Sequence, residues 1–403
     1  MLRITNFKMI NLKLLSVGYL LTIIFLFFYS FTQVDLSLTL SQWSVWQVVQ
    51  KFFQHIGYFN RPLSTAFYIL ILILLFVFYI TYLFLAAKNK VNKKQIWVLI
   101  IVSAVILSFS YNAFSYDLFN YIFDAKIVTY YHQSPYIHKA LDYQGDPMLT
   151  FMHWTHRYYP YGPFWLVLTV PLSFIGLNFF LPTFFLFKFL ASLSYLGTAY
   201  FVSKILNKVR SKDEIVGLVF FALNPLVIIE GLVSAHNEIP MIFFALFSLF
   251  IFLNKNFFRS ILLIFLSIGI KFATVFILPV YILSYFIQKN KKIISADLIF
   301  SLITFLMFVS ILIASIRTNF QPWYLLLVLP FAALIGKKYY IFIPAIILSL
   351  FALLQYIPFL YKGDWNYPVP IILFWLTAGG IILSIAVTSA VYTLNNIVRA
   401  RKK

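Results

Sequence analysis

Asp117, in Ser115-Tyr116-Asp117-Leu118-Phe119-Asn120-Tyr121, stands where a long apolar run gives way to a polar one. A carboxylate beside a cavity at such a boundary is partly desolvated, which raises its basicity and suits it to taking the proton of an alcohol. A plain helix cap is the other reading, since Asp is common at helix starts. Asp124, near the same helical face, either assists Asp117 or pairs with Lys126. The second group is Ala235-His236-Asn237-Glu238, with Glu230 upstream. Acids and amides in an apolar setting are costly unless they face a polar cavity, and a helix continuing through Glu230 and Glu238 would put both on neighbouring faces. Hydrogen bonding between helices would use the same side chains without chemistry. Cations and aromatics form the third group: Lys271 inside an apolar run, Arg317 at the end of another, and Gln321-Pro322-Trp323-Tyr324. Lys271 either snorkels to an interface or meets a phosphate. Trp323 and Tyr324 also suit a membrane aromatic belt.

These residues have to be held by apolar elements. The 403-residue chain is 62% hydrophobic and 10% charged, with a mean hydropathy of +0.91. That excludes a water-soluble globular protein and predicts an all-α polytopic helix bundle of about 11–13 transmembrane helices in a single domain, residues 1–403. The one long polar interval, Ser115 to Pro163, holds Asp117, Asp124, Asp142, Asp146, His132, His138, His153 and His156, out of 11 acids and 6 histidines in all. Scarce ionisable groups gathered in one interval of a membrane protein point to function. His153 and His156 stand one helical turn apart, but no third ligand is fixed by spacing, so no metal site is expected. Cysteine is absent, which removes disulfides, thiolate ligands and cysteine nucleophiles together.

The net charge of +20 is spread in short clusters between apolar runs, which argues against nucleic acid and for cytoplasmic loops. The clusters are Lys88 to Lys94, Lys204 to Lys212, Lys255 with Arg259, Lys289 to Lys292, Lys337 with Lys338, and Arg399 to Lys403. With all of them inside, three spans carry the chain from a cytoplasmic N-terminus to an extracytoplasmic loop at 114–161, and the C-terminus returns to the cytoplasm. The interval 162–204 needs one short or re-entrant half near Gly176 and Pro182, and 260–288 reads as a hairpin with Lys271 near its outer tip. Residues 34–62 place Trp43, Trp46, Val49 and Phe53 at helical spacing, as an interfacial helix would.

Several short elements, in order along most of the chain, resemble those of the GT-C superfamily of integral-membrane glycosyltransferases, especially bacterial polyprenyl-phosphate-mannose-dependent mannosyltransferases. They are Asp117 with Asn120 and Tyr121; Ser134-Pro135-Tyr136; Tyr161-Gly162-Pro163-Phe164-Trp165; Asn224-Pro225-Leu226, then Glu230 and His236-Asn237-Glu238; Lys271-Phe272 followed by Leu278-Pro279; and Gln321-Pro322-Trp323-Tyr324. Two departures stand out: Glu238 where the superfamily has Asp, and Ser134 where it has Asn.

The resemblance implies a hexosyltransferase of the cell membrane, moving a hexose, most simply mannose, from a polyprenyl-phosphate carrier to a glycan or glycolipid hydroxyl at the outer face, with inversion. It needs no cofactor beyond the donor. Asp117 and Glu238 would be the catalytic carboxylates, with Asp117 as general base. Lys271, Arg317 and Arg157 would meet the phosphate, and Asp124, Tyr121, Tyr161, Glu230, His236, Asn237, Gln321, Trp323 and Tyr324 would line the substrate site. A transporter or flippase of lipid-linked sugars is the competing class; it should gather its ionisable groups near the bilayer midplane rather than at one surface.

Overall fold

Asparagine and serine side chains open several of the helices. Asn11 accepts from the amides of Lys13 and Leu14 at the start of α1 (Leu12–Ser30), and Asn60 from Leu63 at α3 (Arg61–Ala87), which follows the short α2 (Ser44–Gln54). Asn92 caps α4 (Lys93–Ser108) through the amide of Gln95. Such caps satisfy amides that have no intrahelical partner. The computed structural model describes residues 11–291 and 293–400; the side chain of Arg399, together with Lys292 and Arg401 to Lys403 of the basic clusters, lies outside the described residues.

The chain continues through α5 (Asp117–Thr129) and a polar loop to α6 (Pro163–Ile175), α7 (Phe180–Arg210) and α8 (Glu214–Ala222). A π-helical turn, Val227–Val233, precedes α9 (Glu238–Leu253). Then come α10 (Phe257–Ile268), α11 (Leu278–Lys289), α12 (Ala296–Thr318), α13 (Leu329–Leu334), α14 (Tyr339–Leu354), α15 (Tyr356–Lys362) and α16 (Val369–Ala400). All regular elements among the described residues are helical, as a membrane bundle requires. Seven helical stretches are long and apolar enough to cross a bilayer, eight with the bent pair Val227–Val233 and Glu238–Leu253. Pro163–Ile175, Phe257–Ile268 and Pro322–Leu334 are shorter apolar pieces, so an expected total of 11–13 is approached only when these are added.

The centre of the bundle is sewn together by tyrosines. Tyr79 donates from α3 to the Phe220 carbonyl (2.9 Å), Tyr195 from α7 to Ala222 (2.7 Å) and Tyr68 from α3 to Leu353 (2.9 Å). Each hydroxyl satisfies a carbonyl that could find no water in an apolar interior.

Three local features position the site. First, the expected weak point at 162–204 is α6, only 13 residues long. Second, the interval 260–288 is the hairpin predicted, with Lys271 at the junction between α10 and Phe272–Ile277. Third, no helix continues from Glu230 to Glu238: Ala235 takes a left-handed φ of 55°, and the axes on either side of the break differ by 108°. α2 falls within the stretch 34–62 expected to be helical; Gln50 and Gln54 turn inward to the carbonyls of Leu38, Val34 and Asp35, while Val45, Val48 and Phe52 face out.

Candidate active site

Asp117 begins α5 but does not cap it: the cap residue is Tyr116, with no side-chain cap bond, and the amide of Asp117 is satisfied by Ser115 Oγ (3.2 Å). The carboxylate turns instead to His236, with Oδ2 at 3.5 Å from Nδ1. The break at Ala235 makes this meeting possible. It lifts His236 out of the helical path, so that the ring lies between Asp117 and Glu230, whose Oε2 is 3.3 Å from Nε2. Tyr356 donates to the other oxygen of Glu230 at 2.7 Å. Trp323 covers the imidazole face to face, with centroids 4.3 Å apart and planes 20° apart. Trp323 therefore belongs to the pocket rather than to an aromatic belt.

The cationic side is built by the α10 hairpin. The Lys271 ammonium pairs with Glu238 at the start of α9 and lies 5.8 Å from the Tyr161 ring centroid. Tyr161 is brought there by a close backbone approach: the amide of Gly162 donates to Ile270 O at 3.1 Å and that of Phe164 to Gly269 O at 2.7 Å. A Cβ on Gly162 would lie 2.3 Å from the Gly269 oxygen, so only glycine fits. Tyr121 packs edge-on against both Tyr161 (5.2 Å) and Trp165 (5.4 Å), so three aromatic rings adjoin the Lys271 side of the site.

Several buried polar atoms here have no partner among the described residues: both amide atoms of Asn237, Oε2 of Glu238, Oδ1 of Asn120 and Nε1 of Trp165. Buried polar groups are nearly always paired, so such a cluster has the character of a binding pocket. Electrostatics corrects one expectation. Burial alone pushes the Asp117 carboxyl up, but the His236 hydrogen bond and the charges of His236, Lys271 and Arg157 outweigh it and hold the group below its ordinary value. Asp117 is thus a weaker base than desolvation alone would make it, and one that stays ionised.

A family model described as the N-terminal domain of alpha-(1->6)-mannopyranosyltransferase, MptA/B family, matches residues 21–286. The chain belongs to this family. No curated protein and no solved structure matches the chain. The mannosyltransferase match contains Asp117, Asp124, Glu230, His236, Asn237, Glu238 and Lys271, and it ends before Trp323.

Not every expected residue of this membrane mannosyltransferase joins the pocket. Arg317 is exposed at the end of α12 and forms no ion pair among the described residues. Arg157 is exposed and rests on Trp154 at 4.2 Å, although its charge reaches Asp117. Asp124 does not pair with Lys126, which binds Asp146 at 2.5 Å; burial pushes its carboxyl well up, and its charge acts on Tyr159 and Tyr161. Gln321 precedes the turn Pro322–Leu327 without a side-chain cap bond, and Tyr324 shares a hydrogen bond with Thr318 at 2.6 Å. Two residues escaped the sequence reading, Tyr356 and Lys188. Tyr356 is one tyrosine among 27 and carried no signal. Lys188 did, as a lone lysine in the run Phe184 to Leu196.

Proposed function

We propose that the protein transfers mannose from a polyprenyl-phosphate donor to a hydroxyl of a glycan or glycolipid, with inversion, at the extracytoplasmic face of the cell membrane. One observation carries the donor assignment. Two adjoining apolar cavities, one of about 540 Å³ between α12, α14 and α16 and one of about 350 Å³ between α12, α13 and α14, share Phe308, Leu325, Pro344 and Leu348 in their walls. Leu325 is two residues beyond Trp323, and Gln355 in the same wall precedes Tyr356. A hydrocarbon tail in this groove would bring its phosphate to the pocket, where a water-soluble nucleotide donor would have no use for it.

In this reading the acceptor oxygen attacks C1 of the mannosyl group, the C1–O bond to phosphate breaks with its electron pair leaving on the phosphate, and the hydroxyl proton passes to Asp117. A phosphate leaves without needing a proton, so one base and a cation suffice where glycosidases use two carboxyls. Lys271 meets the departing phosphate, Glu238 orients Lys271, and His236, fixed between Asp117 and Glu230 under Trp323, holds the base. Tyr121, Tyr161 and Trp165 offer faces for the sugar. A flippase would gather its charges at the midplane; here Asp117, Lys271 and Glu238 meet at one end of the bundle.

The test is incubation of purified protein with radiolabelled polyprenyl-phosphate-mannose or GDP-mannose and a membrane extract. Label should pass to acceptor from the lipid donor alone; transfer from GDP-mannose alone would end the donor assignment. Orientation is tested in intact cells with a membrane-impermeant maleimide, which should label Gln144→Cys and spare Lys90→Cys. The reverse pattern would place the pocket on the cytoplasmic side.

A further inference from the structure

Lys188 lies in the first third of α7 with none of its surface exposed. Its Nζ donates to Ser110 Oγ (3.0 Å), to Val233 O (2.7 Å) and to Leu232 O. Ser110 directs its own proton to Leu107 O at 2.7 Å, so towards Lys188 it can only accept. Three acceptors with no proton to give call for three N–H donors, which only the ammonium form supplies. No carboxylate pairs with it among the described residues. A buried cation without a counter-ion is costly, and its compensation here is the negative end of a helical segment, where two adjacent carbonyls converge.

Those carbonyls are free because the chain breaks. The left-handed Ala235 stops the helix that began at Val227, and backbone groups released inside a bilayer must be satisfied by the protein. Val233 is three residues before His236, and Ser110 seven residues before Asp117. One ammonium therefore holds both segments that deliver the facing Asp117 and His236. Neither the cavity at α12 nor the far-end ion pairs touch it.

We propose that Lys188 is a positioning residue: its ammonium sets the separation and orientation of His236 and Asp117 by clamping the 232–233 carbonyls to the segment leading into α5. Its kinetic consequence rests on the mannosyl-transfer reading, whereas its structural consequence does not.

The experiment compares wild type with Lys188→Met, which keeps most of the side-chain volume and removes every donor. With polyprenyl-phosphate-mannose as the probe, kcat should fall about tenfold to a hundredfold while the donor KM stays within about twofold, as expected when reacting groups are displaced by about an ångström and the donor site is intact. Without any donor, amide hydrogen exchange should rise in peptides covering 227–240 and 108–120 and remain unchanged in those covering 204–216. Unchanged kcat, or a loss of thermal stability with kcat preserved, would reduce Lys188 to a structural residue and overturn the proposal, as would unchanged exchange at 227–240. Should Lys188→Met fail to fold, Ser110→Ala decides: a several-fold fall in kcat at constant KM supports the clamp, and an unaltered kcat refutes it. A wild-type protein with no transfer at all would end the transferase reading while the exchange measurement still tests the clamp.

Discussion

At the end of the bundle away from the pocket, Glu214 accepts from Lys93 (2.5 Å), Asn207 (2.8 Å) and Ser203, while Asp213 lies between Lys337 (3.4 Å) and Arg210, which also reaches Asp297 and Ile335 O. At the Asp117 end the charges also meet, but the account does not close. The second oxygen of Glu238, the whole amide of Asn237 and the Asn120 carbonyl remain without partners among the described residues. Saturated networks fasten helices; unsaturated ones keep valence for something that is not protein. The same residue types thus do different work according to whether the chain around them completes their hydrogen bonds.

The comparison is broken most severely at Asp117. Asp117→Asn should cut turnover by about a hundredfold or more, since the amide cannot take the acceptor proton, with the thermal midpoint nearly unchanged. Activity within a few-fold of wild type would pass the base role to Asp124. Lys271→Ala should weaken donor binding by about tenfold or more, and Lys271→Arg should retain part of it because the charge survives in a different geometry. Unchanged donor affinity in the alanine variant would leave Lys271 a structural partner of Glu238.

The pH response sharpens the contrast further. In the proposed reaction the base must be ionised to act, and Asp117 is held below its ordinary value, so transfer should persist as pH falls until that depressed pKa is crossed. His236→Gln removes the interaction that opposes desolvation, the carboxyl rises, and the acid limb of kcat/KM should move to higher pH. A limb that stays in place belongs to another group. The smallest effect is expected at the far end: Arg210→Gln should lower stability by on the order of 1 kcal/mol, because Asp297 is half exposed and water screens the pair, and should leave kcat alone. A loss of turnover there would mean that the two ends are coupled.

Much of this was legible from the chain. Polar residues set in apolar runs marked Glu230, His236, Glu238 and Lys271, because such placement is costly unless something uses it, and Asp117 stood out at the border of the one long polar interval. Periodicity misled where the backbone leaves the helix. Glu230 and Glu238 seemed to share a continuous helix, yet the left-handed Ala235 separates them, sending Glu230 to His236 and Tyr356 and Glu238 to Lys271, and no glycine announces the turn. Tyr356 reaches Glu230 across 126 positions, a contact that no local pattern encodes. Arg317 shows the converse failure, since its charge was visible but its exposure in the last turn of α12 was not.

The cavity beside α16 has a kinetic corollary. α16 is the least enclosed of the membrane-crossing candidates, with 11% of its most apolar stretch buried, so the groove along it faces the hydrocarbon of the bilayer. The polyprenyl-phosphate donor proposed above, admitted sideways, would be met by diffusion in two dimensions, and its effective concentration would be a mole fraction among lipids rather than a molarity. Diluting the donor with inert phospholipid at constant total amount should therefore slow the reaction, whereas diluting the whole suspension with buffer should not.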